Sequence, residues 1–326
     1  MRAITSTNDP EYHRAINMLS SNQPYWAYDT ETTGLNTRKD TVIGFGISQE
    51  FKGFYFCHKY YENGKLVDGL SREECLVILN LLTSKKLIMW NASYDCRITL
   101  SFFGVNLMDS LWAEGTVAKH LVDESGSFRL KDAAVKVYGD QEKTPQKDLN
   151  EDIKSKGGKP GADIYMGDKN LVSKYCIQDC RLTFRLTFYY LDKIEKEGLT
   201  RFFFIEEVMP LYKYVTIPME MRGIPVDVEQ MLLEQKNISE DIALLEQKIQ
   251  SLILPLLEKV FIPWYLGKYH PPKRTGSFAQ ALCKYANLSL PQTGSGAFSL
   301  SKKALESLPD SIYKTYLLGG EFLPDN

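Results

Sequence analysis

No apolar run in these 326 residues is long enough to span a bilayer. The opening Met-Arg-Ala-Ile-Thr-Ser-Thr-Asn-Asp-Pro also lacks the apolar core of a signal peptide. A soluble protein that stays inside the cell is expected, with no membrane partner. Cys-x-x-Cys spacing is absent. The six cysteines (Cys57, Cys75, Cys96, Cys176, Cys180, Cys283) are scattered without histidine partners, which argues against a structural zinc and for reduced, mostly buried thiols. An excess of either charge is missing too: 39 basic against 41 acidic residues leave a net charge of −2. That balance does not announce a duplex-coating protein, which would usually be basic, and it leaves open an enzyme holding a few nucleotides of one strand in a cleft. There is no internal repeat and no stretch with the composition of long disorder. What remains is an ordinary globular composition, 44% hydrophobic and 25% charged, on a chain long enough for two domains.

The most informative stretch is Tyr25 to Gly34, Tyr-Trp-Ala-Tyr-Asp-Thr-Glu-Thr-Thr-Gly. Tyr25 to Thr30 is aromatic and apolar enough for a strand, and strand residues two apart share a face. Asp29 and Glu31 therefore point the same way from its end. Two carboxylates side by side raise each other's pKa unless something neutralises them, and a hard divalent cation such as Mg2+ or Mn2+ suits their oxygens.

Around that stretch the pattern predicts a helix over Glu11 to Leu19 and further strands over Thr41 to Ser48 and Gly53 to His58. These strands make an antiparallel meander with the acidic pair on its first strand. Ser71, with Glu74 three residues on, is a capping box that opens an amphipathic helix. Lys86 to Trp90 reads as a strand running into a helix that Ser93 caps, to about Phe103. Asn106 to Met108 is a short strand candidate, and Asp109 opens a helix through about Val122. From Gly139 to Lys169 lysines, acids and glycines predominate, and a loop is expected, with Lys154 to Lys159 either solvated basic surface or a contact to phosphates. A helix follows from about Leu171 to Lys196. Arg201 to Met221 is apolar and helical in character, Val228 to about Leu257 reads as one long amphipathic helix, and Ser277 to Ala286 and Ser301 to Leu308 as short ones.

Three further residues complete a set with the acidic pair. Tyr175 and Asp179 are four apart on one helical face, which suits a metal ligand beside a phenol that orients water. Asp95 begins another helix, four residues after Asn91 at a strand's end. In order along the chain, Asp29-Thr-Glu31, Asn91-x-x-x-Asp95 and Tyr175-x-x-x-Asp179 resemble the three motifs of the DEDD superfamily of 3′-5′ exonucleases in its tyrosine version. The histidine version would put His where this chain has Lys174. A second segment, Met219-Glu-Met-Arg-Gly-Ile-Pro-Val-Asp227, resembles the start of the polymerase region in family A DNA polymerases. Gly276-Ser-Phe-Ala-Gln and Leu290-Pro-Gln-Thr-Gly-Ser-Gly-Ala-Phe-Ser-Leu-Ser resemble their thumb tip. Nothing resembles the palm and fingers: no Asp-Tyr-Ser-Gln-Ile-Glu stretch and no His-Asp-Glu triplet occurs.

The resemblance implies an α/β ribonuclease H-like mixed sheet flanked by helices over residues 1–200, then a mostly α-helical, thumb-like segment over 201–326. It implies two divalent ions, Mg2+ or Mn2+: Asp29, Glu31 and Asp179 on the tighter one, Asp29 bridging to the second, and Asp95 acting mostly through water. Tyr175 and Glu31 would orient the attacking water. By position Leu35 matches an apolar wedge between the last bases, Asn91 an amide on the sugar-phosphate, and Thr32 a contact to the terminal hydroxyl. The expected substrate is a single-stranded DNA 3′ end or a frayed primer terminus, shortened to nucleoside 5′-monophosphates. A polymerase palm and fingers would sit on a separate or missing polypeptide, and nucleotide addition by this chain is not expected. Two alternatives stay open: a non-catalytic DNA-binding or polymerase-docking module, and a 3′-5′ exoribonuclease.

Overall fold

The computed structural model describes residues 2–139, 144–257, 289–293, 296, 299 and 301–308. The chain divides into two compact units, Met1–Ile224 and Pro225–Asn326. The first runs past the boundary at residue 200 read from the sequence. Its last segment is helical with two π-type turns, and Phe203, Met209 and Ile217 bury their side chains in the first unit's core.

The first unit is built on β1 (Tyr25–Thr32), β2 (Val42–Ser48) and β3 (Gly53–Cys57), the antiparallel meander expected from the sequence. β6 (Lys86–Met89) and β7 (Leu111–Glu114) extend the sheet in parallel on the other side of β1, giving the order β3-β2-β1-β6-β7. A separate hairpin, β4 (Lys59–Glu62) and β5 (Lys65–Asp68), turns through Asn63-Gly64 with both residues at positive φ, a two-residue connection that Asn-Gly favours. The helices are α1 (Pro10–Leu19), α2 (Arg72–Leu82), α3 (Ala92–Phe103), α4 (Gly115–Val122), α5 (Leu130–Tyr138), α6 (Thr144–Ser155) and α7 (Lys169–Lys196). α2 opens with the Ser71–Glu74 capping box, both hydrogen bonds present.

Period-two alternation sorts the residues of β1 between two cores. Trp26 and Tyr28 join the larger one, with Phe45, Phe56, Leu87, Cys96 and Ile98; Ala27 joins the other, with Tyr55, Cys176, Ile177 and Cys180 of α7. Asp29 and Glu31 continue the parity of Ala27 and so face α7. Covering both faces is what keeps β2 and β3 buried along their whole length. A mixed five-stranded sheet in this order, flanked by helices, is the ribonuclease H-like fold.

Three local expectations are corrected. The strand lies over Leu111–Glu114, not Asn106 to Met108, because Leu111 and Ala113 are fully buried and pair with β6. The helix expected from Asp109 is therefore the shorter α4. The stretch from Gly139 to Lys169 is not all loop: α6 buries Leu149 and Ile153, one turn apart, beside α7, and a 3-10 turn spans Ile164–Met166. So few apolar residues leave little periodicity to read.

α8 (Val208–Leu211) and α9 (Ile217–Arg222) belong to the first unit; the second carries α10 (Val228–Leu257), which matches the long helix expected. A short α11 spans Lys302–Glu306. The helix expected over Ser277 to Ala286 lies outside the described residues. Among the described residues no helix is long and apolar enough to cross a membrane.

Candidate active site

Asp29 and Glu31 project from β1 toward α7 because the opposing positions on β2 are glycines. Asp29 pairs with Gly46 and Glu31 with Gly44. A Cβ on Gly46 would stand 2.6 Å from the Cys176 sulfur and 2.9 Å from that of Cys180; on Gly44 it would meet the Tyr55 hydroxyl at 2.3 Å. The bare backbone thus admits two thiols and a phenol beside the acids. The Cys176 thiol lies 3.6 Å from Asp29 Oδ2, and Asp29, Glu31 and Cys176 bring their ligand atoms within 4.8 Å of one another.

Asp95 comes from the other face, in the first turn of α3. Its Oδ1 accepts the Thr30 backbone N–H at 3.0 Å and the Thr30 hydroxyl at 2.5 Å, which ties the acid to the strand between Asp29 and Glu31. The turn into α3 needs Asn91 in the left-handed region, φ 64°, a conformation asparagine tolerates. Glu114, fully buried at the end of β7, holds it there: one oxygen accepts the Asn91 N–H and the other the Val117 N–H, each at 2.5 Å.

Tyr175 and Asp179 share a face of α7, as their spacing predicts. The Asp179 carboxylate is ion-paired with the Lys131 ammonium, which also lies 4.7 Å from the centre of the Tyr175 ring. Burial pushes the Asp29 carboxyl up to about 6, partly offset by the Cys176 thiol and the Lys131 charge. Burial, and then the charges of Asp29 and Asp95, hold Glu31 well above the usual carboxylate range; burial and the charge of Asp29 do the same to Asp95. Burial, with Glu31 and Asp29 nearby, keeps Tyr175 a protonated phenol.

Asp29 and Glu31 thus lie side by side with Cys176, Asp95 is tied to the strand between them, and Asp179 joins through Lys131, which also lies over the Tyr175 ring. Such carboxylates repel when ionised, and among the described residues the charge their shifts register against that repulsion is Lys131. A buried hard-oxygen donor set in which one lysine charge faces several carboxylates fits divalent cations of the Mg2+ or Mn2+ kind. The three expected nucleic-acid contacts are placed differently. Leu35 is 89% exposed in the loop after β1, and the Asn91 side chain is exposed at the start of α3. The Thr32 hydroxyl is engaged, donating to the Gly34 carbonyl at 2.8 Å and lying 2.7 Å from the Tyr94 hydroxyl.

Sequence reasoning missed Lys131, Glu114, Tyr55 and the placement of Cys176. A lysine at a helix start reads as solvated surface, and Glu114 reads as an exposed helical acid once a helix is drawn from Asp109. The Gly-x-Gly of β2 is the one signal that something bulky crosses the strand.

Among curated proteins, the chain is 28% identical over 226 residues to DNA polymerase DpoZ of Vibrio phage phiVC8, covering 63% of this chain and 33% of that one. It spans a third or less of the length of the curated relatives it matches. The POL domain of Pol1 from M. smegmatis, solved with DNA primer-template and dNTP, aligns over 94% of this chain and 45% of its own with a TM-score of 0.52 and 15% identity. Brucella melitensis NrnC, solved with bound Mg2+, aligns over 64% of this chain and 92% of its own with a TM-score of 0.44 and 18% identity. The sequence profile of a 3′-5′ exonuclease family matches residues 3–195, more than half of the chain and the whole of the sheet and α1 to α6. The chain belongs to that 3′-5′ exonuclease family, which is related to the exonuclease domains of family A DNA polymerases.

Proposed function

We propose that the protein is a two-metal-ion exonuclease that removes nucleoside 5′-monophosphates from DNA 3′ ends, in the manner of a proofreading domain. The observation that carries this reading is the convergence of Asp29, Glu31 and Asp95 with raised carboxyl pKa beside the protonated Tyr175. Asp29, Glu31 and Asp179 would hold one divalent ion, and Asp29, with Asp95 acting mostly through water, the second. When bound, the ions supply charge stabilisation to the attacking and leaving oxygens of an in-line displacement at phosphorus. Glu31 accepts a hydrogen bond from the attacking water, and the Tyr175 hydroxyl, which keeps its proton, fixes the same water from the side of α7. Burial of these groups excludes competing solvent and strengthens each contact.

Leu35 packs against the terminal bases, Asn91 meets the sugar-phosphate, and Thr32 lies beside the 3′ hydroxyl. Stacking and backbone contacts of this kind give little sequence preference. The DNA polymerases among the relatives favour DNA over RNA as substrate. Nucleotide addition is not proposed for these 326 residues, in which no stretch resembles a polymerase palm or fingers.

The test is digestion of 3′-labelled single-stranded DNA and RNA side by side, with Mg2+ or Mn2+ and with chelator. Release of 5′-monophosphates from DNA, abolished by chelator and by Asp29→Ala or Glu31→Ala, is expected. Retained activity in those variants refutes the assignment. Faster RNA cleavage would make the protein an exoribonuclease, and no release from either strand would make it a binding or docking module.

A further inference from the structure

Lys131 puts a cation inside the carboxylate cluster. It is the second residue of α5, where the partial positive charge of a helix N-terminus disfavours an ammonium. It is also nearly out of water: the two side chains of the Lys131–Asp179 pair are 12% and 11% exposed. A lysine that gives up hydration at an unfavourable helix end needs a local anion in return, and Asp179 is that anion. The reach of its charge extends to Asp29 and Glu31, and its ammonium rests 4.7 Å from the Tyr175 ring centre.

An ammonium and a divalent ion cannot both sit on one carboxylate in so dry a place, because their mutual repulsion is barely screened there. Ion capture at Asp179 must therefore move Lys131. Its flexible four-carbon stem lets the ammonium swing off the carboxylate.

We propose that Lys131 is a resident counter-cation, holding Asp179 while the centre is metal-free and displaced when a divalent ion binds. This rests on Asp179 being a metal ligand. Lys131 is then a positioning residue with two effects: it keeps the metal-free acids together, and it raises the ion concentration at which the centre loads.

The experiment measures Mn2+ binding without nucleic acid, by calorimetry or by the paramagnetic signal of free Mn2+, in wild type, Lys131→Met and Lys131→Arg. The Met variant is expected to bind at least about fivefold more tightly. It should also melt below wild type in chelator and recover with Mn2+. The Arg variant, which keeps the charge, should bind as wild type does. Unchanged or weaker Mn2+ binding in Lys131→Met overturns the proposal. Should that variant fold poorly, Lys131→Gln carries the same expectation and the same refutation. Failure of the underlying assignment looks different: Asp179→Ala would then bind Mn2+ as wild type does. Absence of saturable binding in both wild type and Lys131→Met overturns both ideas.

Discussion

Gly46 and Asp29 face one another across the β1–β2 ladder, and the glycine is what lets α7 come down onto the acid. The Cys176 and Cys180 sulfurs lie within 3 Å of where a Cβ would stand, and they sit on the buried face of a packed helix. Gly46→Ala should therefore push α7 from the sheet and destabilise the protein by about 1–3 kcal/mol. Because Tyr175 and Asp179 ride on the same helix, nuclease activity should fall more than the melting temperature alone explains. Cys176→Ala in the same chain frees the space and should recover part of both losses. Urea unfolding and 3′-end digestion of the single and double variants check this; a double variant as impaired as Gly46→Ala would refute it.

The metal-free acids predict an unusual pH response. Asp29, Glu31 and Asp95 all have folded values above their ordinary ones, Asp29 at about 6. Between the unfolded and folded values the folded state holds protons that the unfolded state has released. Their contribution to stability therefore falls as pH rises through about 6 and is regained as pH drops toward 4. Divalent ions prefer the ionised acids, so their stabilisation should be large at pH 8 and small at pH 6. Melting temperatures with and without chelator at the two pH values measure this. A shift of about 2–6 °C at pH 8 is expected, with the dependence reduced in Asp29→Asn. An ion-induced shift equal at both pH values would contradict it.

How much of this was legible depends on how locally each feature is encoded. The Asp29–Glu31 pair shows in six residues because a strand's period is two, and Tyr175–Asp179 because a helix returns after four. Lys131 carries no such mark. Its meaning comes from a contact with Asp179, 48 positions away in a chain whose surface is rich in lysine, and only folding makes it. α6 escaped because Leu149 and Ile153 are too few to establish a period. β7 escaped because Leu-Trp-Ala-Glu takes its conformation from pairing with β6, a tertiary choice that propensity does not contain.

Glu114 makes a separate prediction. Both its oxygens accept backbone N–H groups, from Asn91 and Val117, in a fully buried position. Glu114→Gln replaces one acceptor by an amide donor facing an N–H and should cost about 1–3 kcal/mol. The loss should also loosen the left-handed turn at Asn91 that sets the start of α3, and so reduce activity through Asp95. Thermal unfolding together with digestion rates checks both; full stability in Glu114→Gln would show that the carboxylate is not what holds the turn.

Leu35 makes the complementary prediction, an effect on substrate with none on folding. At 89% exposure its side chain has almost no packing to lose, so Leu35→Ala should leave the melting temperature unchanged. If it packs against the last bases, covering a leucine side chain is worth about 1.5–3 kcal/mol. KM for a single-stranded end should then rise about tenfold or more. The contact is apolar, so the salt dependence of binding should stay that of wild type, whereas loss of a phosphate contact would flatten it. Steady-state digestion at two salt concentrations separates the cases. An unchanged KM in Leu35→Ala would leave this leucine an ordinary loop residue and return the grip on the 3′ end to Asn91 and Thr32.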